Sequence, residues 1–143
     1  MDVNIFKYIP LSINKMISDA GLGYRIFYEG QKHGLIQDEP CIHVYVIGPR
    51  IKYSGNSDVL TIRLKIVVSV PENDQGYLIY EICGKIANLM RTDIPLFDDS
   101  YQALNCFSQD GEIIITHFGK VDPDLPLKQS TVETSYKVYL SGE

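Results

Sequence analysis

A chain of 143 residues, 45% hydrophobic and 22% charged, is long enough to bury one core of its own, about two thirds of its unfolded surface. Its net charge of -5 and pI near 5.1 provide no basic patch for releasing counterions from phosphates, which excludes nonspecific nucleic-acid binding as the main activity. No apolar run reaches the roughly 20 residues of a membrane span and "MDVNIFKYIP" has no leader pattern, so a chain that stays in the cytoplasm where it is made is expected.

In chain order, Ile9, Ile13, Met16, Ile17 and Ala20 recur at helical spacing. Pro10 fits such a helix only in its first turn, and "GLG" after Ala20 supplies the stop. "YRIFY" (24–28) reads as a strand, as does "CIHVYVIG" (41–48), rich in β-branched and aromatic residues and bounded by prolines. The turn-formers Ser54, Gly55, Asn56, Ser57 and Asp58 then separate two extended arms, so residues 41–53 and 59–70 form one long β-hairpin. Within it Leu60, Ile62, Leu64, Ile66, Val68 and Val70 share one face, and Thr61, Arg63 and Lys65 the other.

Pro71 ends the hairpin, and Asn73 or Asp74 is placed to cap a second helix. Ile79, Ile82, Cys83, Ile86, Leu89 and Met90 follow at steps of three and four, carrying that helix to about Arg91. "TDIPLFDDSY" reads as a polar, proline-bearing connection. Beyond it "ALNCFS" and "EIIITHFGKV" flank "QDG" as a compact hairpin, and "TVETSYKVYL" is the last strand. With no repeat and no linker, the order predicts a single α+β domain over residues 1–143, two helices packed on one face of a mainly antiparallel sheet.

Chemistry-bearing clusters are sparse. His33, His43 and His117 lack zinc-pair spacing, and Cys41-x-His43 on one strand face reads more simply as a buried thiol beside a half-buried imidazole than as two metal ligands. Cys41, Cys83 and Cys106 each sit in an apolar segment and read as small buried hydrophobes of a reducing compartment, without disulfides. Cys106 and His117 can face each other only if the "QDG" hairpin forms. Neither a nucleophile elbow nor a phosphate-binding glycine loop occurs, so no catalytic residue, cofactor or metal is expected. The acidic pairs Asp98/Asp99 and Asp122/Asp124 read as solvated loop charge. Several of the ten tyrosines, among them Tyr24, Tyr28, Tyr45, Tyr53, Tyr136 and Tyr139, fall on predicted strands, where a polar-tipped aromatic suits a half-covered surface.

The main anomaly is a basic group, Arg50, Lys52, Arg63 and Lys65, on or near the outer face of the long hairpin of an otherwise acidic chain. Two readings are about even: the face docks on an acidic surface of a copy or partner, or the bases only blunt an exposed sheet.

The succession of short helix, "YRIFYEG", "DEPCIHVYVIGPRIKYSGNSDVLTIRLKIVVSV", capped helix "YLIYEICGKIANLM" and strands closing in "TSYKVYL" resembles the tail terminator proteins of long-tailed bacteriophages over essentially the whole chain. The resemblance implies a non-enzymatic subunit, monomeric or not before docking, that forms a hexameric ring on the last ring of the tail tube. It implies contact with the tail tube protein and the head connector, DNA sliding through the channel without specific binding, and residence in the host cytoplasm during assembly and then in the virion, with no membrane partner. On it, Arg50, Lys52, Arg63 and Lys65 become subunit contacts, and Ser54, Gly55, Asn56, Ser57 and Asp58 with Asp122, Asp124 and Leu125 become tube or connector contacts. Asp98 and Asp99 become channel-facing acids. Two alternatives stand beside it: another neck or head-tail joining ring protein, and a small ligand-binding domain or enzyme with a pocket around His43, His117 or Cys106.

Overall fold

The computed structural model describes residues 3–32, 34, 38–72, 76–120, 124 and 126–141. It is an α+β fold of α1 (Ile5–Asp19), β1 (Arg25–Phe27), β2 (Cys41–Ser54), β3 (Ser57–Pro71), α2 (Tyr77–Met90), β4 (Ile94–Phe97), β5 (Ala103–Lys120) and β6 (Leu127–Ser141). The strands form one mixed sheet in the order β1-β2-β3-β6-β5-β4. Among the described residues only β1 runs parallel to its neighbour, over the three residues Arg25, Ile26 and Phe27 against Cys41, Ile42 and His43. Among the described residues, no helix is long and apolar enough to cross a membrane.

Period-2 patterning decides which face is the core. Leu60, Ile62, Leu64, Ile66, Val68 and Val70 of β3 are buried, and Val132, Tyr136 and Val138 on β6 continue the same layer. Ile9, Ile13 and Ile17 of α1 and Ile79, Ile82 and Ile86 of α2 close onto it in one cluster. Both helices therefore lie on the side of the sheet that carries the even-numbered residues of β3, α2 against β3, β5 and β6 and α1 against β4.

Four local readings of the sequence are corrected. The "QDG" hairpin does not exist: β5 runs unbroken through Gly111, and β6 pairs with it on both sides, Asp110 opposite Ser135 and Ile114 opposite Glu133. The extra residues are absorbed as a bulge, with Gly111 at φ 89, a conformation open to glycine. The connection "TDIPLFDDSY" contains β4, whose Ile94 and Leu96 alternate into the core while Pro95 occupies an edge strand that tolerates its missing N–H. Pro10 lies in the interior of α1 and not in its first turn, because Ile5, Tyr8 and Ile9 have enough core to bury that the helix starts at Ile5. Finally, α2 has Gly76 at its N-cap with no side-chain cap; Asn73 and Asp74 lie outside the described residues.

The turn at the end of β2 is tighter than expected. Ser54 pairs with Ser57, leaving only Gly55 and Asn56 as the loop, and Gly55 at φ 58 supplies the positive dihedral that a two-residue connection needs at its first position. Nearer the middle, Ile47 pairs with Arg63 and Arg50 with Thr61, so Gly48 and Pro49 bulge against one residue of β3. Gly48 has φ 105, and a Cβ there would meet the Thr61 carbonyl oxygen at 3.1 Å.

Candidate functional site

The face of the sheet opposite the helices is the odd-numbered side of β3. Residues paired across a ladder share a face, so Tyr45, Ile47, Arg50 and Lys52 of β2 lie on it with Thr61, Arg63 and Lys65 of β3, Glu133, Ser135 and Lys137 of β6, and Ser108, Asp110 and Ile114 of β5. At one end this face is roofed: His43 is buried, stacks on Phe27 at 4.8 Å, and has Nε2 2.7 Å from the Gly34 carbonyl, so that nitrogen donates. At the other end it carries exposed apolar groups, Tyr45 (39%), Ile47 (52%), Ile114 (40%) and Tyr139 (59%).

The structure brings the four basic residues to one face and also shows what neutralises part of them. Arg63 donates from Nε to Glu133 at 3.0 Å and from a terminal nitrogen to Ser135 Oγ at 3.1 Å. Lys65 stands directly opposite Glu133 in the ladder. Arg63 and Lys65 are half-buried, whereas Arg50 and Lys52 are exposed. The face is thus charge-mixed at its centre and basic at its β2 margin. Lys137, two residues along β6, has its ammonium pKa raised by the Tyr139 hydroxyl and by Asp110, 3.5 Å away. Glu133 and Ser135 were missed as site residues; their signal was the odd-numbered alternation of "TVETSYK".

The hollow beside the Gly48–Pro49 bulge, about 270 Å³, is lined by Ile47, Arg50, Thr61, Arg63 and Ser135. It gathers two guanidinium side chains and apolar wall on the open face. A larger cleft of about 550 Å³ lies between α1 and the segment after β1, with Asn14, Lys15, Asp19, Tyr28 and Tyr101 in its wall. Its charges are already paired: Lys15 holds Asp19 at 2.6 Å, and Asn14 exchanges two hydrogen bonds with the Glu29 backbone.

The remaining candidates are dispersed. Gly55, Asn56, Ser57 and Asp58 stand at the free end of the β2–β3 ribbon, beside exposed Tyr53. Asp124 is exposed; Asp122, Leu125 and His33 lie outside the described residues. Asp98 is a local builder, accepting from the Ser100 and Gln102 backbone N–H groups at 2.9 Å each, and Asp99 pairs with Lys7 at 2.8 Å. Cys106 is exposed, correcting its reading as a buried hydrophobe: it alternates with buried Phe107 and faces away from the helices. With β5 continuous, Cys106 opposes Pro95 and His117 opposes Ser130, so the imagined thiol-imidazole pair is split roughly 30 Å along one strand.

His117 instead meets Tyr80 of α2 edge-on at 4.4 Å and has Nδ1 2.5 Å from Ser130 Oγ. Burial raises the pKa of the Cys83 thiol, which bonds the same serine hydroxyl. Thiol, hydroxyl and imidazole thus satisfy one another across the α2–sheet seam. Among the described residues no group of three or more His, Cys, Asp or Glu is placed to hold a metal ion.

No family model and no curated protein matches this chain. Solved structures do: one, whose title describes no function, superposes with a TM-score of 0.65 at 11% identity, covering 100% of this chain and 99% of that one. At that identity the likeness speaks for the fold.

Proposed function

We propose that this chain is a structural ring subunit of the tail terminator type. It caps the tail tube of a long-tailed bacteriophage, ends its elongation and offers the docking surface for the head connector. The observation that carries the reading is the open sheet face, which both helices leave uncovered and on which exposed Tyr45, Ile47, Ile114 and Tyr139 stand among Arg50, Lys52 and Arg63. A protein of this size that leaves so much apolar surface outside its own core has a use for it in association.

In this reading β2 and β3 are the long hairpin of a mainly antiparallel sheet, and the ring is a hexamer closed by heterologous contacts. The ribbon end from Ser54 to Asp58 and the loop around Asp124 meet the tube or connector. Arg50 and Lys52 make the leading subunit contacts, with Arg63, held by Glu133, and Lys65 behind them. No reaction, cofactor or metal is assigned. The protein assembles in the host cytoplasm and ends in the virion. The test mixes the purified chain with purified, uncapped tail tubes and images them by electron microscopy. A ring on one tube end, lost in Arg50→Glu/Lys52→Glu, supports the reading; bare tubes at saturating protein sink it.

A further inference from the structure

Two stretches of the sheet have no neighbouring strand on one side among the described residues. β1 covers β2 only at Cys41, Ile42 and His43, leaving residues 44–54 as an edge. β4 covers β5 only as far as Phe107, leaving residues 108–120 as the other. Long apolar edges are templates for pairing unless charge, proline or cover blunts them.

Three of the four exposed apolar residues named on the open face stand at these two edges, Tyr45 and Ile47 on β2 and Ile114 on β5, and Tyr139 stands on interior β6. The positions between them are Arg63, Lys65, Glu133 and Ser135. The ladder registers put the edge residues in line. Tyr45 pairs with Lys65, Lys65 with Glu133, and Glu133 with Ile114, so Tyr45 and Ile114 end one row across four strands. By the same steps Ile47 is level with Asp110, and Arg50 with Ser108. Three antiparallel steps separate β2 from β5, so the two edges run in opposite directions. A second copy placed beside the first in the same orientation presents its β2 edge antiparallel to the β5 edge of its neighbour.

We propose that copies of this chain join in this way, residues 108–115 of β5 in one copy adding as an antiparallel strand to residues 44–50 of β2 in the next, with Pro49, which has no N–H to donate, set in the bulge of the receiving edge. The inference rests on the ring reading above and gives it a seam. Tyr45 of one copy then faces Ile114 of its neighbour, a cross-strand apolar pair made from two half-exposed side chains. Arg50 on the receiving edge then faces Ser108 and lies within diagonal reach of Asp110 on the added edge, so basic and acidic side chains meet at the seam. In the single chain the receiving edge is held shut at one point: the Val46 N–H, turned away from β3, donates to the Glu29 carboxylate at 2.8 Å. Glu29 must release that N–H when the neighbouring strand arrives, which gives the free chain a closed form.

Cysteine pairing tests the register. In a Cys106→Ser background, which removes the exposed native thiol, Tyr45→Cys/Ile114→Cys is oxidised in the free chain and after incubation with tail tubes, then run on a non-reducing gel. Within one copy the two positions are three strand spacings apart, roughly 14 Å, too far for a disulfide, so any bond is between copies. Covalent multimers in this variant, and their loss in the off-register Tyr45→Cys/Phe118→Cys variant, are expected. Rings seen by light scattering or on tubes without cross-linking at this pair would overturn the edge-to-edge seam and leave the ring reading standing. A chain that stays monomeric and leaves tubes uncapped would overturn both.

Discussion

Tyr136 shows how one buried polar group ties layers together. Its side chain is wholly buried in β6, and its hydroxyl donates to the Met90 carbonyl at 2.7 Å, satisfying one of the acceptors that the end of α2 leaves without a helical partner. Tyr136→Phe keeps the ring and strands the carbonyl, which should cost about 1–3 kcal/mol in chemical denaturation. Burial pushes the pKa of this phenol far above its ordinary value near 10 and also raises that of the Cys83 thiol above roughly 8.5. Both groups stay neutral in the folded chain while the unfolded chain ionises first. Their stabilising effect is whole below the unfolded values and is lost as pH rises past them. The melting temperature of the wild type should therefore fall from about pH 8.5 and more steeply beyond about pH 10; in Tyr136→Phe the second decline should be shallower. A parallel slope in both proteins would remove Tyr136 as its cause. Arg63 is a milder case, since a half-exposed ion pair such as Arg63–Glu133 contributes about 0–1 kcal/mol; Arg63→Ala should shift denaturation by no more than that.

At the scale of elements, α1 carries a cost that the core outweighs. Pro10 is the sixth residue of the helix Ile5–Asp19, so the Phe6 carbonyl loses the N–H that a helix would normally offer it. An interior proline costs about 3 kcal/mol against alanine, offset by about 0.4–1 kcal/mol for the freedom it removes from the unfolded chain. Pro10→Ala should therefore stabilise the protein by roughly 2–2.6 kcal/mol, read from the denaturation midpoint at unchanged slope. The strict alternation from Leu60 to Val70 was legible because its period alone fixes which face is buried. β4 was illegible: four residues with a proline carry no period, and only the neighbouring β5 makes them a strand. "QDG" has the chemistry of a turn, and the information that overrides it lies in β6, whose Ser135 and Glu133 hold β5 on both sides of the bulge.

The whole molecule adds what no segment contains. That Arg63 and Lys65 share a face could be read from strand parity, but Arg50 and Lys52 join them only through the Gly48–Pro49 bulge, which shifts the alternation of β2, and the engagement of Arg63 by Glu133 and Ser135 was not legible, since β3 and β6 pair across some seventy residues of chain. Edge status is likewise a property of strand order, invisible in "EIIITHF" taken alone. Strand order also makes the seam testable by charge. Arg50→Glu/Lys52→Glu gives a chain whose two edges are both acidic; Asp110→Lys/Glu112→Lys gives one whose two edges are both basic. Each variant alone sets like charges across every seam and should remain monomeric in light scattering. Mixed in equal amounts they can alternate, because an acidic β5 edge meets a basic β2 edge at one seam and a basic β5 edge meets an acidic β2 edge at the next. Assembly should return only in the mixture and weaken as salt screens the seam. An alternating ring closes only with an even number of subunits, as a hexamer does. Recovery of a ring in the mixture, with neither variant assembling alone, would therefore test edge pairing and ring parity in one measurement; equal assembly of the separate variants would place the contact elsewhere on the molecule.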